Sequence, residues 1–244
     1  MKIVATIEAR MDSSRLPGKI LKEAVGRPLL ELMVERVRRS KLIHEVVVAT
    51  TVEPNDAATE QACKKMGVSY FRGSNEDVLE RVLKAAQTHQ ADLIVELTGD
   101  CPLIDPAMID HVIRFYLDRS LDYVSNCLER TFPRGTEVQV FSVKVLEDVA
   151  RRTQDAADHE HVSLYIYEHP EIYKLGGVRA EPPYDRTDLR LTVDTPEDYE
   201  LVRKIFEKLY SANPAFTMAD VIALVDREPA LKELNTRIQQ KPVR

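Results

Sequence analysis

Apolar and polar positions along the first half of the chain switch repeatedly between a period of two and a period near 3.6. Lys2–Ile7 reads as a strand, and Pro28–Ser40 as a helix with proline in its first turn and apolar residues at 29, 30, 33, 34 and 37. Glu45–Thr51 is a second, valine-rich strand. Asn55–Met66 reads as a helix capped by Asn55 and closed by Gly67. A short strand at Ser69–Arg72 precedes a helix from about Asn75 to His89. Asp92–Thr98 is a fourth strand, expected at the sheet centre because Leu93-Ile94-Val95 is continuously apolar. Pro106–Asp118 is another helix. This order predicts an α/β fold with a mostly parallel central sheet flanked by helices.

Beyond Leu121 the alternation loosens. Asp122–Asn126 and Glu137–Phe141 read as strands, Lys144–Arg152 and Asp158–His169 as helices, and Tyr173–Arg179 and Leu189–Val193 as further strands. Pro196–Tyr210 and Met218–Asp226 are helical, and the polar last ten or so residues are expected to fray. No linker or internal repeat interrupts the pattern. A single domain over 1–244 is therefore expected, with a regular half at 1–120, a decorated half at 121–210 and a helical extension at 211–244.

Composition narrows the class. The 244 residues suffice for one large core, and 44% hydrophobic with 30% charged residues is ordinary for a soluble globular protein. No apolar run reaches the roughly 20 residues that span a bilayer, and Glu8 and Arg10 break the first apolar run too early for a signal peptide. Cys63, Cys101 and Cys127 show no CxxC spacing, which points to reduced thiols in a cytoplasm and away from structural zinc. The net charge of −6 argues against a nucleic-acid partner. Residues 1–50 nevertheless hold ten Lys/Arg against six Asp/Glu, which suits a small anionic ligand.

The chemistry concentrates where strands end. Ala9-Arg10-Met11-Asp12-Ser13-Ser14-Arg15-Leu16-Pro17-Gly18-Lys19 leaves the first strand as a loop of cations and hydroxyls. Arginine forks, a lysine and loop amides together make a phosphate trap, and the carboxyl end of a strand is where open α/β sheets bind ligands. A solvated basic loop is the plainer reading. In Thr98-Gly99-Asp100-Cys101-Pro102, Asp100 follows the central strand and reads either as an oxygen ligand for Mg²⁺ or as a turn residue. Asp105, before Pro106, is expected to cap the next helix. Val193-Asp194-Thr195-Pro196-Glu197-Asp198 ends another strand with a strong helix start. There Asp194 is either a connector or a second carboxylate facing Asp100.

Together ARMDSSRLPGKIL, LTGDCPLIDP and LTVDTPEDYELVRKIF resemble the cytidylyltransferases that make CMP-activated sugars, in order and over residues 1 to 210 or so. The relatives are the CMP-Kdo synthetases, the CMP-acylneuraminate synthetases and, nearest in character, the spore-coat polysaccharide SpsF-like group. The resemblance implies a Rossmann-like nucleotide-diphospho-sugar transferase fold, CTP as donor, Mg²⁺, release of pyrophosphate and a homodimer. It places Ala9, Arg10, Ser14, Arg15 and Lys19 on the triphosphate, with Lys19 also offsetting charge on the leaving pyrophosphate. Asp100 and Asp194 would hold Mg²⁺, and Arg72, Gly73 and Ser74, followed by Asp77, occupy the stretch that contacts the nucleoside. The acceptor would be a sugar acid or related small anionic glycan precursor.

Acceptor-pocket elements of the sugar-acid synthetases are not found in the sequence. Asp158-His159-Glu160-His161-Val162 resembles an Arg-Glu-His-Val element of the spore-coat-like group, with His159 in place of arginine. Two apart on a helix, His159 and His161 point roughly 200° from one another and cannot share a metal. They read as surface or capping residues, or, for His161, as part of the acceptor pocket. Phe132-Pro133-Arg134-Gly135-Thr136-Glu137 could line the acceptor site, form a dimer arm or be an exposed hairpin. Two other functions stay open: a glycosyltransferase using a nucleotide-sugar donor, although no Asp-x-Asp motif follows the central strand, and a nucleotide-binding protein without catalysis.

Overall fold

Continuous apolar strands threaded between amphipathic helices give one seven-stranded sheet in the computed structural model, which describes residues 1–241. The first half contains β1 (Ile3–Glu8), a 3₁₀ turn at Lys19–Leu21, the small hairpin β2 (Glu23–Ala24) and β3 (Arg27–Pro28), α1 (Leu29–Val37), β4 (Glu45–Thr51), α2 (Ala57–Met66), β5 (Ser69–Gly73), α3 (Val78–Thr88), β6 (Leu93–Thr98) and α4 (Pro106–Leu117). The second half adds β7 (Tyr123–Ser125), β8 (Gln139–Ser142), α5 (Val143–Arg152), α6 (Ala156–Glu160), α7 (Leu164–Glu168), β9 (Leu175–Gly177), α8 (Pro196–Leu209), α9 (Met218–Arg227) and α10 (Pro229–Glu233).

The sheet order is β5-β4-β1-β6-β8-β7-β9, and only β8 runs against the others. β6 is its middle strand, as the unbroken apolar run requires. One face of β1, through Ile3, Ala5 and Ile7, packs on Leu30, Met33 and Val34 of α1 and on Ile109, Val112 and Ile113 of α4. The other face meets α3 and α5, with Ile94 and Phe141 against Val78, Val82 and Leu146. A third cluster joins Leu29 and Leu32 to Leu189, Leu191 and Val193 and to Leu201, Ile205, Val221 and Leu224, so α8 and α9 are bound to the core by apolar burial.

Several expected elements differ. Leu189, Leu191 and Val193 are buried as the alternation implies, but among the described residues the segment forms an isolated bridge, Arg190 with Arg134, rather than a strand of the sheet. The helix expected over Asp158–His169 is broken between Glu160 and Leu164, where Ser163 turns its hydroxyl onto Gln139 Oε1 at 2.6 Å. The helix expected from Asn75 starts at Val78, after Asp77 caps it by accepting from Glu80 N. Asn55 lies inside a 3₁₀ turn, Pro54–Asp56, rather than capping α2. Asp105 does cap α4, accepting from Ala107 N at 2.8 Å. α10 precedes the last ten or so residues; of these, Asn235 to Ile238 close a turn through Ile238 N to Asn235 O, and residues 242–244 lie outside the described residues.

Candidate active site

Three strand ends and one buried crossing segment converge on the phosphate-type loop. The loop leaves β1 at Ala9, whose N–H donates to Ala49 O, and is closed by Gly18 N donating to Met11 O at 2.9 Å. Gly18 has φ +66, and a Cβ there would press on Met11 Cε at 3.3 Å, so glycine is the residue this turn needs. Leu16 is buried against the third core cluster and fixes the loop's middle. Met11 N donates to Asp56 Oδ1 at 2.8 Å, and the buried Asp56 is further held by Thr51 and Thr59. Asp56 is a support that the sequence reading missed.

With the loop so fixed, Lys19 reaches the centre of the site. Its Nζ lies 2.9 Å from Asp100 Oδ2 and 2.9 Å from Asp194 Oδ1, bringing all three motifs onto one atom. Gly99 makes this approach feasible: a Cβ there would meet Glu8 O at 2.7 Å. Asp194 also accepts from Arg15 Nη2 at 3.1 Å and Arg190 Nη2 at 2.9 Å. Arg190 is anchored in turn by both oxygens of the fully buried Asp198, which Asn235 Nδ2 also contacts at 2.8 Å. Val193 N donates to Asp100 O at 2.8 Å, locking the two acidic segments together. Arg190, Asp198 and Asn235 form a supporting network that spacing alone did not reveal.

The electrostatics follow from this packing. Burial works to raise the Asp194 pKa, but Lys19, Arg15 and Arg190 outweigh it and hold the carboxyl below its ordinary range. Burial likewise works to lower Lys19, and the two aspartates outweigh it, so the ammonium stays charged. Among the described residues no cluster of three or more His, Cys, Asp or Glu is placed to hold a metal. Asp100 and Asp194, joined through Lys19 Nζ, are two oxygen donors of the kind that suits Mg²⁺ and not structural zinc.

The remaining candidates are placed as follows. Arg10 Nη1 reaches Asn75 O and Oδ1 at 3.5 and 3.4 Å, leaving the guanidinium weakly held at the loop entrance. Ser14 is exposed on the loop. Arg72 lies deeper: its guanidinium bonds Thr51 O, Glu53 O and Glu60 Oε2, each at 2.8 Å, and so ties β5 to β4 and α2. Gly73 allows close packing of α3, since a Cβ would meet Arg81 Cγ at 3.0 Å, and Ser74 Oγ accepts from Asp77 N. His159 bridges Asp77 Oδ2 at 2.8 Å and Thr153 O at 3.2 Å, a structural tie rather than a solvated histidine. The segment Phe132–Glu137 is not an exposed hairpin. Phe132 and Thr136 are buried, and a Cβ on Gly135, at φ +95, would lie 2.5 Å from Leu191 C and closer still to Thr192 N.

Beside the loop lies a cavity of about 320 Å³, walled by Glu8 and Thr98 at the ends of β1 and β6, by Glu96 and Gln139, and by His161 and Ser163 at the break between α6 and α7. Burial, the largest influence, pushes Glu8 up to about 7 against Arg81 and Arg10, and pushes Glu96 well above the usual carboxylate range, where the neighbouring Glu8 adds to it. The helix break thus brings His161 into the lining of the cavity, with Glu8 and Thr98, while His159 turns to Asp77.

Parallel strands that end in a cationic loop, with two facing aspartates and an adjoining cavity, define a nucleotidyltransferase-type centre. The chain belongs to the cytidylyltransferase family, whose model matches residues 4–223. It is 35% identical to the spore coat polysaccharide biosynthesis protein SpsF of Bacillus subtilis, over 93% of this chain and 95% of that protein. It is 32% identical to the 3-deoxy-manno-octulosonate cytidylyltransferase of Geobacter metallireducens, over 68% of this chain and 75% of that one. A solved cytidylyltransferase from Leptospira borgpetersenii superposes with a TM-score of 0.90 at 36% identity, covering 99% of both chains. The protein is a nucleotidyltransferase of the cytidylyltransferase type. No helix among the described residues is long and apolar enough to cross a membrane.

Proposed function

We propose that the chain transfers CMP from CTP to a small anionic sugar acceptor, such as a sugar acid, in the building of a surface glycan. The observation that carries this reading is the convergence of Lys19, Asp100 and Asp194 within 2.9 Å contacts at the end of the cationic loop. An acceptor oxygen attacks the α-phosphorus of CTP. The new P–O bond forms as the bond to the β-phosphate oxygen breaks, its electron pair leaving with pyrophosphate and the acceptor's proton passing to solvent. Arg10, Arg15 and Lys19 hold the triphosphate oxygens and offset the charge that grows on the leaving group. Asp100 and Asp194 would hold Mg²⁺, which would supply further neutralisation of the triphosphate's charge.

Pyrophosphate release is the direct test, measured with Mg²⁺ and each nucleoside triphosphate against a panel of sugar acids, sugar phosphates and phosphonates. Release specific to CTP and one acceptor class, abolished in Asp100→Ala, is the expected result. CTP binding without release from any pair would favour a binding protein. Absence of both would remove the nucleotide reading.

A further inference from the structure

Two residues before the cavity-lining His161, His159 is held in a way that fixes its charge. Its Nδ1 lies 2.8 Å from Asp77 Oδ2, and its Nε2 lies 3.2 Å from Thr153 O. A carbonyl oxygen and an ionised carboxylate can only accept, so both ring nitrogens must donate. A neutral imidazole carries one N–H and the imidazolium carries two. The geometry therefore calls for the cation. The charged groups around the ring agree. From α3 come Asp77 and, acting on it, Arg81. On α6 itself, Asp158 adds a second negative charge, Asp155 caps the helix and Glu160 lines the cavity. At the end of α5, Arg151 and Arg152 are turned to Asp148, and the Thr153 carbonyl meets the ring. Burial works to lower the ring's pKa, but Thr153 O, Asp77 and Asp158 outweigh it and raise it above its ordinary 6.5.

The tie joins two sides of the site. Asp77 uses its other oxygen, Oδ1, to cap α3 through Glu80 N at 2.7 Å, and its own N–H donates to Ser74 Oγ at 3.0 Å. Between these two residues, Asn75 accepts from Arg10 at the entrance of the cationic loop. On the histidine's side, α6 is five residues long, too short to keep its place without tertiary contacts. Asp158 Oδ2 binds it to Thr153 Oγ1 at 2.6 Å, and His159 carries the connection on to α3. His161 N then donates to Ala157 O at 2.9 Å, and the chain breaks at Ser163, whose hydroxyl reaches Gln139. His161, Ser163 and Gln139 line the cavity, whose other walls include Glu8, just before the loop at Ala9, and Thr98, just before Gly99 and Asp100. What holds α6 sets where the His161–Ser163 wall stands.

We propose that His159 is a positioning residue that works as an imidazolium, holding the His161–Ser163 wall against the loop that bears Asn75, so that acceptor binding weakens as His159 loses its proton. The inference rests on the CMP-transfer reading above, with the acceptor in the cavity beside the cationic loop. A neutral ring keeps one donor and must give up either Asp77 or Thr153 O, which frees the wall on one side. Glu8 titrates over the same range, so His159 is isolated by comparing variants that share Glu8.

Two measurements test this. The first is imidazole NMR on isotope-labelled histidine in the wild type without nucleotide, with His159 assigned by the signals missing from His159→Arg. The expected result is a ring protonated on both nitrogens in most molecules at pH 6.5, with His161 resonances that move along with the His159 titration. A mostly neutral His159 at that pH, or His161 resonances that ignore its titration, overturns the inference. The second is acceptor KM from CTP-dependent pyrophosphate release between pH 6 and pH 9, with the acceptor found in the panel above, for wild type, His159→Arg and His159→Gln. Arginine keeps its charge over this range and carries donors for both oxygens. The acceptor KM of the wild type should rise about tenfold more than that of His159→Arg, and His159→Gln should start about tenfold high at pH 6. KM for CTP should not differ among the three. Parallel acceptor profiles in wild type and His159→Arg overturn the positioning role, a comparison that stands even if His159→Gln folds poorly. The spectra need neither CTP nor acceptor, so they fail only with this inference. Loss of CTP binding, or no release with any acceptor, fails the transfer reading instead.

Discussion

Two pairs of carboxyl groups lie within one site, and they are built on opposite principles. Asp100 and Asp194 meet Lys19 at 2.9 Å, and Arg15 and Arg190 complete the shell around Asp194. Glu8 and Glu96, on the neighbouring strands β1 and β6, meet chiefly each other and each keep one buried oxygen without a partner. Cations hold Asp194 below its usual range, whereas burial drives both glutamates up. The first pair is closed in by cations and is the one we propose for phosphate and metal. The second is a pair of acids whose unpartnered oxygens are buried. A site that must hold a polyanion and a separate acceptor needs this division, because one electrostatic environment cannot serve both.

The sharpest way to break the comparison is to remove the shared cation. Lys19→Ala should leave Asp100 and Asp194 facing one another without their common ammonium and lower kcat/KM about 1,000-fold. Pyrophosphate release under saturating Mg²⁺ measures it, and near-wild-type turnover would make the Lys19 contacts purely structural. Arg190 offers a finer cut, since it touches Asp194 only from behind, braced by Asp198 and Asn235. Arg190→Ala should cost about 10- to 100-fold, the usual scale for groups that orient a metal-binding residue. The loss should fall on apparent Mg²⁺ affinity more than on the KM for CTP. Equal losses in both would assign Arg190 to nucleotide binding instead.

How much of this was legible in the sequence depends on what each residue's position reports. The parallel core was readable because β1, β4 and β6 are runs whose apolar residues have nowhere to go but inside. The aspartate pair was readable because Asp100 and Asp194 each follow such a run and precede a helix start. Leu189–Val193 shows the limit: alternation reported which side chains are buried, but not that the only ladder partner would be Arg134. The Arg190–Asp198–Asn235 network joins positions 45 apart in the chain, and no local pattern encodes that contact. Glu8 and Glu96 did carry a signal, since each is an acid in an otherwise buried strand with the parity of one face. Reading it required the register between β1 and β6, which only the fold supplies.

The smallest effect discriminates best between the two pairs, because it has opposite signs. Glu8 rises from its ordinary 4.5 to about 7 on folding, so the folded chain holds more protons than the unfolded chain between those values. Stability therefore falls as pH rises through that window, by about 1–3 kcal/mol for the coupled carboxyls. Asp194 is shifted the other way, and its contribution is present above its ordinary 3.8 and lost as pH falls. Glu96→Gln removes one acid of the raised pair and none of the lowered one. Its melting temperature should thus gain on the wild type by a few degrees between pH 5 and pH 8, whereas Asp194→Asn should lose its relative penalty on acidification. Thermal melts beside the wild type, of Glu96→Gln across pH 5 to 8 and of Asp194→Asn from pH 5 down to pH 2, provide the measurement. A wild-type-to-Glu96→Gln difference that stays flat with pH would mean the glutamates do not retain a proton in the folded chain, and the contrast between a charged pair and a proton-sharing pair would have to be given up.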